Sequence, residues 1–556
     1  MRVTGSVSLP DEGAPILDAD TLAGLEPLGT VRAVEPGEVL FRAGDAADDF
    51  IVILEGSVDI VRPGVGWSPE EVLTTHTAGG FLGEMNLLTR QRAYLTARSA
   101  TAGRVLVIPG ERFRRVMAEQ PDLADVIFRA FEVRREVLRT GAGAEAVRII
   151  GSRYSPDFMA LRSYAARTRL PHTVKDLEDE EDDEVYLAGL GFRRSQMPLV
   201  ITSLGTVERA TPGTFAAHLG LTYRAEPGFQ FDLVVVGCGP AGLAAAVYGA
   251  SEGLNTLSLD AVATGGQAGA SSRIENYVGF PNGVSGEELT SRAAAQAQRL
   301  GARLNSPCEV GGLRPERGFH VVELADGSEI PTRSVIVASG ARYTRLAVDD
   351  LERFEGAGVY YAATDLEARV CTGSEVVVVG GGNSAGQAAI YLAHQGSRVS
   401  IAIRRDDLRH SMSAYLVERI EADPRIELLT CTEVRAVEGD QHLERITLED
   451  TATGERRTVP CVGLFCFIGA QPATAWLDGA IALDDRGFVL TDRSLPDDVA
   501  RGPAFAGRAP LPFETSLPGV FAAGDVRNGS LKRVAAAVGE GSSAVRSVHD
   551  HFAAAG

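Results

Sequence analysis

Cysteine is sparse in this 556-residue chain. The six present, Cys238, Cys308, Cys371, Cys431, Cys461 and Cys466, are scattered, and none stands in a Cys-x-x-Cys. That spacing excludes a local redox pair and argues against a zinc site. Also missing is any run of about 18 apolar residues, the length a membrane-crossing helix needs. The start, MRVTGSVSLPDEGAP, lacks an apolar core of signal-peptide length. The expectation is a cytoplasmic protein with no membrane association. A basic surplus is lacking as well: the formal charge is −20. Binding a phosphate backbone needs a basic face, so nucleic acid is excluded as a partner.

What is present is globular α/β material, 45% hydrophobic and carrying 62 glycines, which implies many tight turns. At about 150 residues per domain the length suggests roughly four domains, and four textures follow one another. Residues 31–110 carry short alternating strands, as in EVLFRAGDAADDFIVILEGSVDIV, pointing to a small β-barrel or jelly roll. A helical stretch, GERFRRVMAEQPDLADVIFRAFEVRREVLR, closes this unit, and TGAGAEA reads as a linker. Residues 147–225 then give a β-α-β-α-β-β-α pattern. Its acidic run from Glu178 to Glu184 reads as a solvated loop and helix start, since acidic side chains favour a helix N-terminus. From 229 onward, strands run straight into glycine-rich turns, twice.

The first such unit is FDLVVVGCGPAGLAAAVYGASEGLNTLSLD. A buried strand leads into Gly237-Cys238-Gly239-Pro240-Ala241-Gly242, then a small-residue helix, then a strand ending in Asp260. Glycines permit the sharp turn and the close approach of a pyrophosphate to the helix N-terminus, and the acid accepts ribose hydroxyls. The second unit, EVVVVGGGNSAGQAAIYLAHQGSRVSIAIRRDDLR, carries Gly380-Gly381-Gly382-Asn383-Ser384-Ala385. Where an acid would read an unsubstituted ribose stand Arg404 and Arg405, with Arg409 a helical turn on. Read blandly these are a surface cluster. Read chemically they clamp a 2′-phosphate through forked hydrogen bonds, selecting NADPH over NADH. One site with an acid and one with arginines imply a flavin plus NADPH, with direct hydride transfer between them.

On these motifs, residues 229–556 resemble the low-molecular-weight thioredoxin reductases. GGQAGASSRIENYVGFPNGVSGEEL is similar to that family's flavin-contacting stretch, VIVASGARYTRL to its strand returning to FAD, and GVFAAGDVRNGSLKRVAAAVGEG to its C-terminal flavin signature. RRDDLR is similar to its NADPH arginine motif, with Ile403 where a His leads it. GLFCFIGAQPATAWL is similar to the strand leaving the NADPH domain. The resemblance implies that Gly265, Gly266, Gln267, Asn276 and Gly340 line the flavin, and that Gly524 and Asp525 serve its ribitol side. Arg533 and Val534 would open a helix aimed at the pyrimidine end of the ring, where a helix N-terminus favours negative charge. Ile468 and Gly469 would join the NADPH site. It further implies a dimer and a rotation of the NADPH domain about joins near 345 and 475.

The departure lies in GVYYAATDLEARV. Aligned from Gly358, the family's Cys-Ala-Thr-Cys falls on Ala362-Ala363-Thr364-Asp365, and neither Ala nor Asp can form a mixed disulfide. Cys371, six residues late, reads as a structural thiol. Asp365 is a candidate proton donor beside the ring or a plain solvent-facing turn carboxylate. Block 147–225 resembles a thioredoxin or glutaredoxin fold, with VRIIGSRYSPDF at the redox turn and Met197-Pro198 at the cis-proline position. Its turn reads Ser152-Arg153-Tyr154-Ser155-Pro156, so it is expected to be redox-dead and kept for docking or dimerisation. The N-terminal block resembles cyclic-nucleotide-binding domains. There Gly83-Glu84 match the ribose-binding pair, while Arg92 arrives one residue early for the cyclic phosphate and Ala93 fills the aligned slot.

The expected fold is thus an α/β multidomain chain. It has a β-barrel or jelly roll at 1–140, a cysteine-free thioredoxin-like domain at 145–225, and two Rossmann-like domains. Of these, 229–345 with 475–556 would bind FAD and 346–474 NADPH. The expected function is an FAD- and NADPH-dependent oxidoreductase passing electrons from the flavin to an unknown acceptor, a small molecule or a redox protein. Two alternatives stand beside it: disulfide reduction with a partner-supplied dithiol, and a sensor that reports NADPH and a cyclic nucleotide without turnover.

Overall fold

The computed structural model describes residues 11–45, 49–64, 69–83, 87, 92–93, 95–140, 142–179, 183–223, 228–271, 273–363, 365–477, 479–505 and 507–555. The N-terminal block is built from two four-stranded sheets. One runs Thr30–Val34, Gly103–Pro109, Asp49–Glu55, Phe81–Leu82, the other Val39–Phe41, Thr96–Ser99, Ser57–Arg62, Glu71–Thr77, and all pairings are antiparallel. Strand Thr96–Ser99 buries alternate residues, Ala97 and Ser99, as one face turned to a core requires. Phe50 stacks on Phe113 with ring centroids 4.3 Å apart, and Phe81 and Phe131 complete that core. The helical spacing read across this block's end divides into two helices, Gly110–Glu119 and Pro121–Thr140. Pro121 forces the break: it removes an amide donor and pushes the preceding Gln120 out of helical geometry, to ψ 79°.

The middle block orders its strands Thr173–Asp176, Val147–Gly151, Leu199–Thr202, Gly205–Val207, with the first pair parallel and the others antiparallel. Leu199–Thr202 is buried throughout, as a central strand covered on both faces should be. Helices Pro156–Arg167 and Pro212–Leu219 supply Phe158, Tyr164 and Phe215 to one core. Asp183 and Glu184 open helix Asp183–Gly189, which fits the reading of the acidic run. The Met197–Pro198 peptide is cis, the expected isomer; Ser306–Pro307 is also cis, and no motif in the sequence announces it.

The remaining chain forms two doubly wound folds, one inserted in the other. In the first, Phe231–Val236 lies between Thr256–Leu259 and Glu329–Val337, parallel to both, and Val520–Ala522 returns parallel to Glu329–Val337. In the second, Val359–Tyr360, Gly463–Cys466, Glu375–Val379, Arg398–Ala402 and Ile426–Leu429 form an all-parallel sheet. Val376 to Val379 are all buried, the uniform apolar run of a strand covered on both sides. The chain crosses between the two folds through Ala341–Tyr343 and Ala470–Pro472, which pair antiparallel with each other.

Candidate functional site

The first glycine turn is packed backbone to backbone. Gly237 sits at φ +115°, and a Cβ there would collide with the Ala338 carbonyl; one on Gly242 would collide with the Gly237 carbonyl. Only glycine fits either place. Helix Pro240–Ser251 starts from Gly239 with Pro240 in its first turn, so its opening amides are left for a ligand. Gly266 approaches so closely that its Cβ would lie 2.8 Å from the Gly239 Cα, and the Gly265 amide donates to the Cys238 carbonyl at 2.8 Å. Turn and loop therefore form one glycine-lined cradle. Asp260, at the end of Thr256–Leu259, accepts from the amides of Cys238 at 2.8 Å and of Val262 and Ala263 at 3.0 Å. Three donors fix its carboxylate oxygens in place at the rim of the cradle.

Of the other residues expected on the flavin side, Gly524 borders the same cradle, its Cβ position 2.8 Å from the Ala241 Cβ. Gln267 donates to the Ala341 carbonyl, tying the loop to the crossing strand. Gly340, at φ +68°, has open space where a side chain would be. The Gly524 amide donates 2.7 Å to Glu540, which also pairs with Arg527 at 2.7 Å. Burial pushes the Asp525 carboxyl up, Lys532 opposing it and Glu540 adding to it. Lys532 donates to the Asp525 carbonyl. Val534 opens the helix Val534–Ala555 with Arg533 exposed just before it, and Asn276 is also exposed.

The second turn repeats the geometry with other chemistry. Gly380 is at φ +136°, its Cβ position blocked by the Phe467 carbonyl, and Gly382 caps helix Asn383–His394 beside open space. Arg404 and Arg405 are exposed just past Arg398–Ala402, and among the described residues neither guanidinium has an acidic or hydrogen-bonding partner. Ser384 is exposed, Ile468 half-buried, and Gly469, at φ +107°, exposed. Three expected ligands need restating. Asn383 spends its side chain on Ser413, giving a 2.9 Å bond to the hydroxyl and receiving 2.8 Å from the amide, so it braces helix Ala414–Ala422. Ala385 is fully buried and serves packing. Arg409 already holds Glu421 through bonds of 2.7 and 2.9 Å.

No cysteine stands in the stretch 358–370; the half-buried Cys431 lies beside Arg405, its amide donating 2.9 Å to that residue's carbonyl. Ala363 is buried and Ala362 half-buried, while Thr364 and the Asp365 side chain lie outside the described residues. Cys371 is buried, and burial pushes its thiol up to about 12; burial does the same to Cys461 and Cys466. Such thiols are inert as nucleophiles. Among the described residues there is no metal-holding cluster and no helix long and apolar enough to cross a membrane.

In the N-terminal block, Gly83 is at φ +121° and Glu84 lies outside the described residues. Arg92 is turned to another task. Its Nη1 donates 2.7 Å to the Gly44 carbonyl, and its Nε lies 2.7 Å from where a Cβ on Gly220 would be, at the end of middle-block helix Pro212–Leu219. The guanidinium expected for a cyclic phosphate thus joins two domains.

Other contacts had no signal in the sequence. Arg167, from the middle block, donates to the carbonyls of Ala263 (2.8 Å), Thr264 (3.2 Å) and Gly266 (3.0 Å), the very loop that closes the first cradle. Tyr164 donates 2.9 Å to the Ser306 carbonyl. Arg419 reaches across to Glu275 at 3.2 Å. Partners this distant in sequence leave no local pattern.

Two nested doubly wound folds, each with a glycine turn, define the class, and the comparisons agree. A family model described as pyridine nucleotide-disulphide oxidoreductase matches residues 231–541, and the chain belongs to that family, among its NADPH-dependent flavoprotein oxidoreductases. A cyclic nucleotide-binding domain model matches residues 31–120. The chain is similar to a thioredoxin reductase of Streptomyces clavuligerus, 33% identical over 324 residues that make up 58% of this chain and 94% of that protein. It is also similar to a thioredoxin reductase of Mycolicibacterium smegmatis, 34% identical over 313 residues, 56% of this chain and 94% of that protein. Among solved structures, the thioredoxin reductase of T. acidophilum matches with a TM-score of 0.52 at 29% identity, over 58% of this chain and 99% of that one.

Proposed function

We propose that this chain is a thioredoxin-reductase-like oxidoreductase whose electrons leave directly from FAD, without an active-site dithiol, to a small-molecule or protein acceptor. The observation that carries the reading is the pairing of an intact cradle with absent thiols: Ala362 and Asp365 fill the two aligned cysteine positions, and Cys371 is buried with its thiol held near 12. The residues fit the cofactors. Gly237, Gly242 and Gly266 let the turn and its loop pack backbone to backbone, while Gly239 at the helix start has space where a side chain would stand, and among the described residues Arg404 and Arg405 stand unengaged where a 2′-phosphate needs neutralising. When bound, FAD takes an electron pair from NADPH as hydride and releases it again at the ring. The chain would orient the two ligands: amides opening helices Pro240–Ser251 and Asn383–His394 would hold the pyrophosphates, Asp260 would accept ribose hydroxyls, and the helix begun at Val534 would lend its N-terminus to the flavin.

The test is an anaerobic NADPH titration of the purified protein followed by optical spectroscopy. Bleaching complete at two electrons per flavin supports the reading; a four-electron capacity overturns the absence of a dithiol. Steady-state NADPH oxidation with ferricyanide, quinone and disulfide acceptors then sorts the acceptor class. Regulation by a cyclic nucleotide is a second reading, supported by the family match over 31–120 and opposed by the placement of Arg92. Cyclic AMP titrated against the rate of flavin reduction decides it.

A further inference from the structure

The middle block's cysteine-free turn lies against the second doubly wound fold, beside the segment that leads to Ala362. The turn Ser152–Pro156 leaves strand Val147–Gly151 and meets the second doubly wound fold. There the Tyr154 ring stacks on His442, with centroids 4.7 Å apart and planes at 19°. His442 sits between strands Thr432–Gly439 and Leu443–Asp450. Two residues beyond Tyr154, Pro156 abuts Gly356: a Cβ built there lies 3.2 Å from the Pro156 Cα and 3.4 Å from its Cβ. Further along helix Pro156–Arg167, burial pulls the Arg162 guanidinium down, and Arg369 and Glu367 of helix Asp365–Val370 are among the charges acting on it. Burial likewise raises the Tyr360 phenol, two residues ahead of Ala362, with Tyr154 among its electrostatic neighbours.

The turn is also held rigid from behind. The Arg153 amide donates 3.1 Å to Asp176, its guanidinium pairs with Asp176 at 2.7 Å, and Ser155 caps its own helix. On the far side of the middle block, Arg167 and Tyr164 fasten it to the flavin-side fold. The block therefore bridges both dinucleotide folds, while Arg419 and Glu275 join those folds directly.

We propose that the thioredoxin-like domain is the permanent occupant of the face bordering residues 356–370, so that no separate protein of thioredoxin or glutaredoxin fold docks there. It presents to that face the same turn such a partner would present, emptied of sulfur, and it braces the second fold in one orientation relative to the flavin. Only the consequence for electron exit, that the acceptor arrives by another route, rests on the function proposed above. The docking stands by itself.

The full-length Pro156→Cys, Gly356→Cys double variant tests it, since the 3.4 Å separation is close to the about 3.5–4.5 Å that disulfides span between Cβ atoms. The link is read by mass spectrometry of the joined peptides, and NADPH–ferricyanide turnover is compared before and after reduction. The expected result is a link in high yield and turnover changed by less than about twofold. A missing link overturns the docking. Turnover depressed about tenfold in the linked protein and restored on reduction overturns the fixed orientation. Because Gly356 is at φ +79° and a cysteine is strained there, Tyr154→Ala provides a second measurement. Hydrogen exchange across 356–370 should quicken in that variant, and unchanged exchange overturns the contact. A linked protein without flavin removes the flavoprotein reading alone; a flavin-loaded protein that does not link removes the docking alone.

Discussion

The two glycine turns share one backbone plan and differ in how their charged residues are held. In the first, Asp260 is anchored by three amides before any ligand arrives. In the second, Arg404 and Arg405 stand exposed and unengaged among the described residues, while Arg409 is committed to Glu421. An acid that must hydrogen-bond neutral hydroxyls profits from a fixed position, because geometry is all it has to offer. Guanidinium groups that must neutralise a phosphate gain from being free to close on it. On the proposed function the first site is specified by shape and the second by charge, and substitutions should separate the two.

The largest effect is expected at Gly242→Ala, which drives a methyl into the Gly237 carbonyl. Overpacking of this kind costs about 1–3 kcal/mol, so flavin retention, read from absorbance per protein, should fall roughly tenfold or more. Reversing both arginines, Arg404→Glu with Arg405→Glu, should leave flavin content intact. It should raise KM for NADPH by roughly 10- to 100-fold, about 1.4–2.8 kcal/mol, and leave KM for NADH nearly unchanged. Equal losses with both nucleotides would show that the arginines do not read the phosphate. Arg409→Ala should cost no more than about threefold in KM for NADPH, since the group is already spoken for; a loss as large as that of its neighbours would erase the distinction drawn here.

The smallest effect concerns Asp525. Burial raises its folded-state pKa, so its contribution to stability is full below the unfolded carboxylate value and is lost as pH rises through the folded one. At neutral pH the buried charge is a liability in the flavin-free protein. Asp525→Asn should therefore lift the melting temperature of the apoprotein slightly, on the order of 1 °C. It should also flatten the pH dependence in the weakly acidic range, measured by thermal scans from acid to neutral.

Much of this is readable from the sequence, for a physical reason. Gly237, Gly242 and Gly380 hold places where a Cβ meets a carbonyl, and such requirements leave glycines at fixed spacing. The Met197–Pro198 turn and the arginines after Arg398–Ala402 are legible on similar local grounds. What escapes depends on residues far apart in the chain. Nothing near Arg92 announces that Gly220 will lie against it, and nothing near Arg167 names the carbonyls of Ala263 and Gly266. Asn383 reads as a ligand because its motif position is local, whereas its bond to Ser413 spans thirty residues. Even the Pro121 break is outweighed in the sequence by apolar spacing that continues on both sides.

Helix Val534–Ala555 lies so close over Pro240–Ser251 that a Cβ on Gly541 would strike the Ala241 carbonyl. During synthesis, that covering wall emerges only after the whole inserted fold has left the ribosome. A chain lacking that helix should leave the first cradle uncovered and retain little of the flavin that the proposed function requires, whatever else had folded.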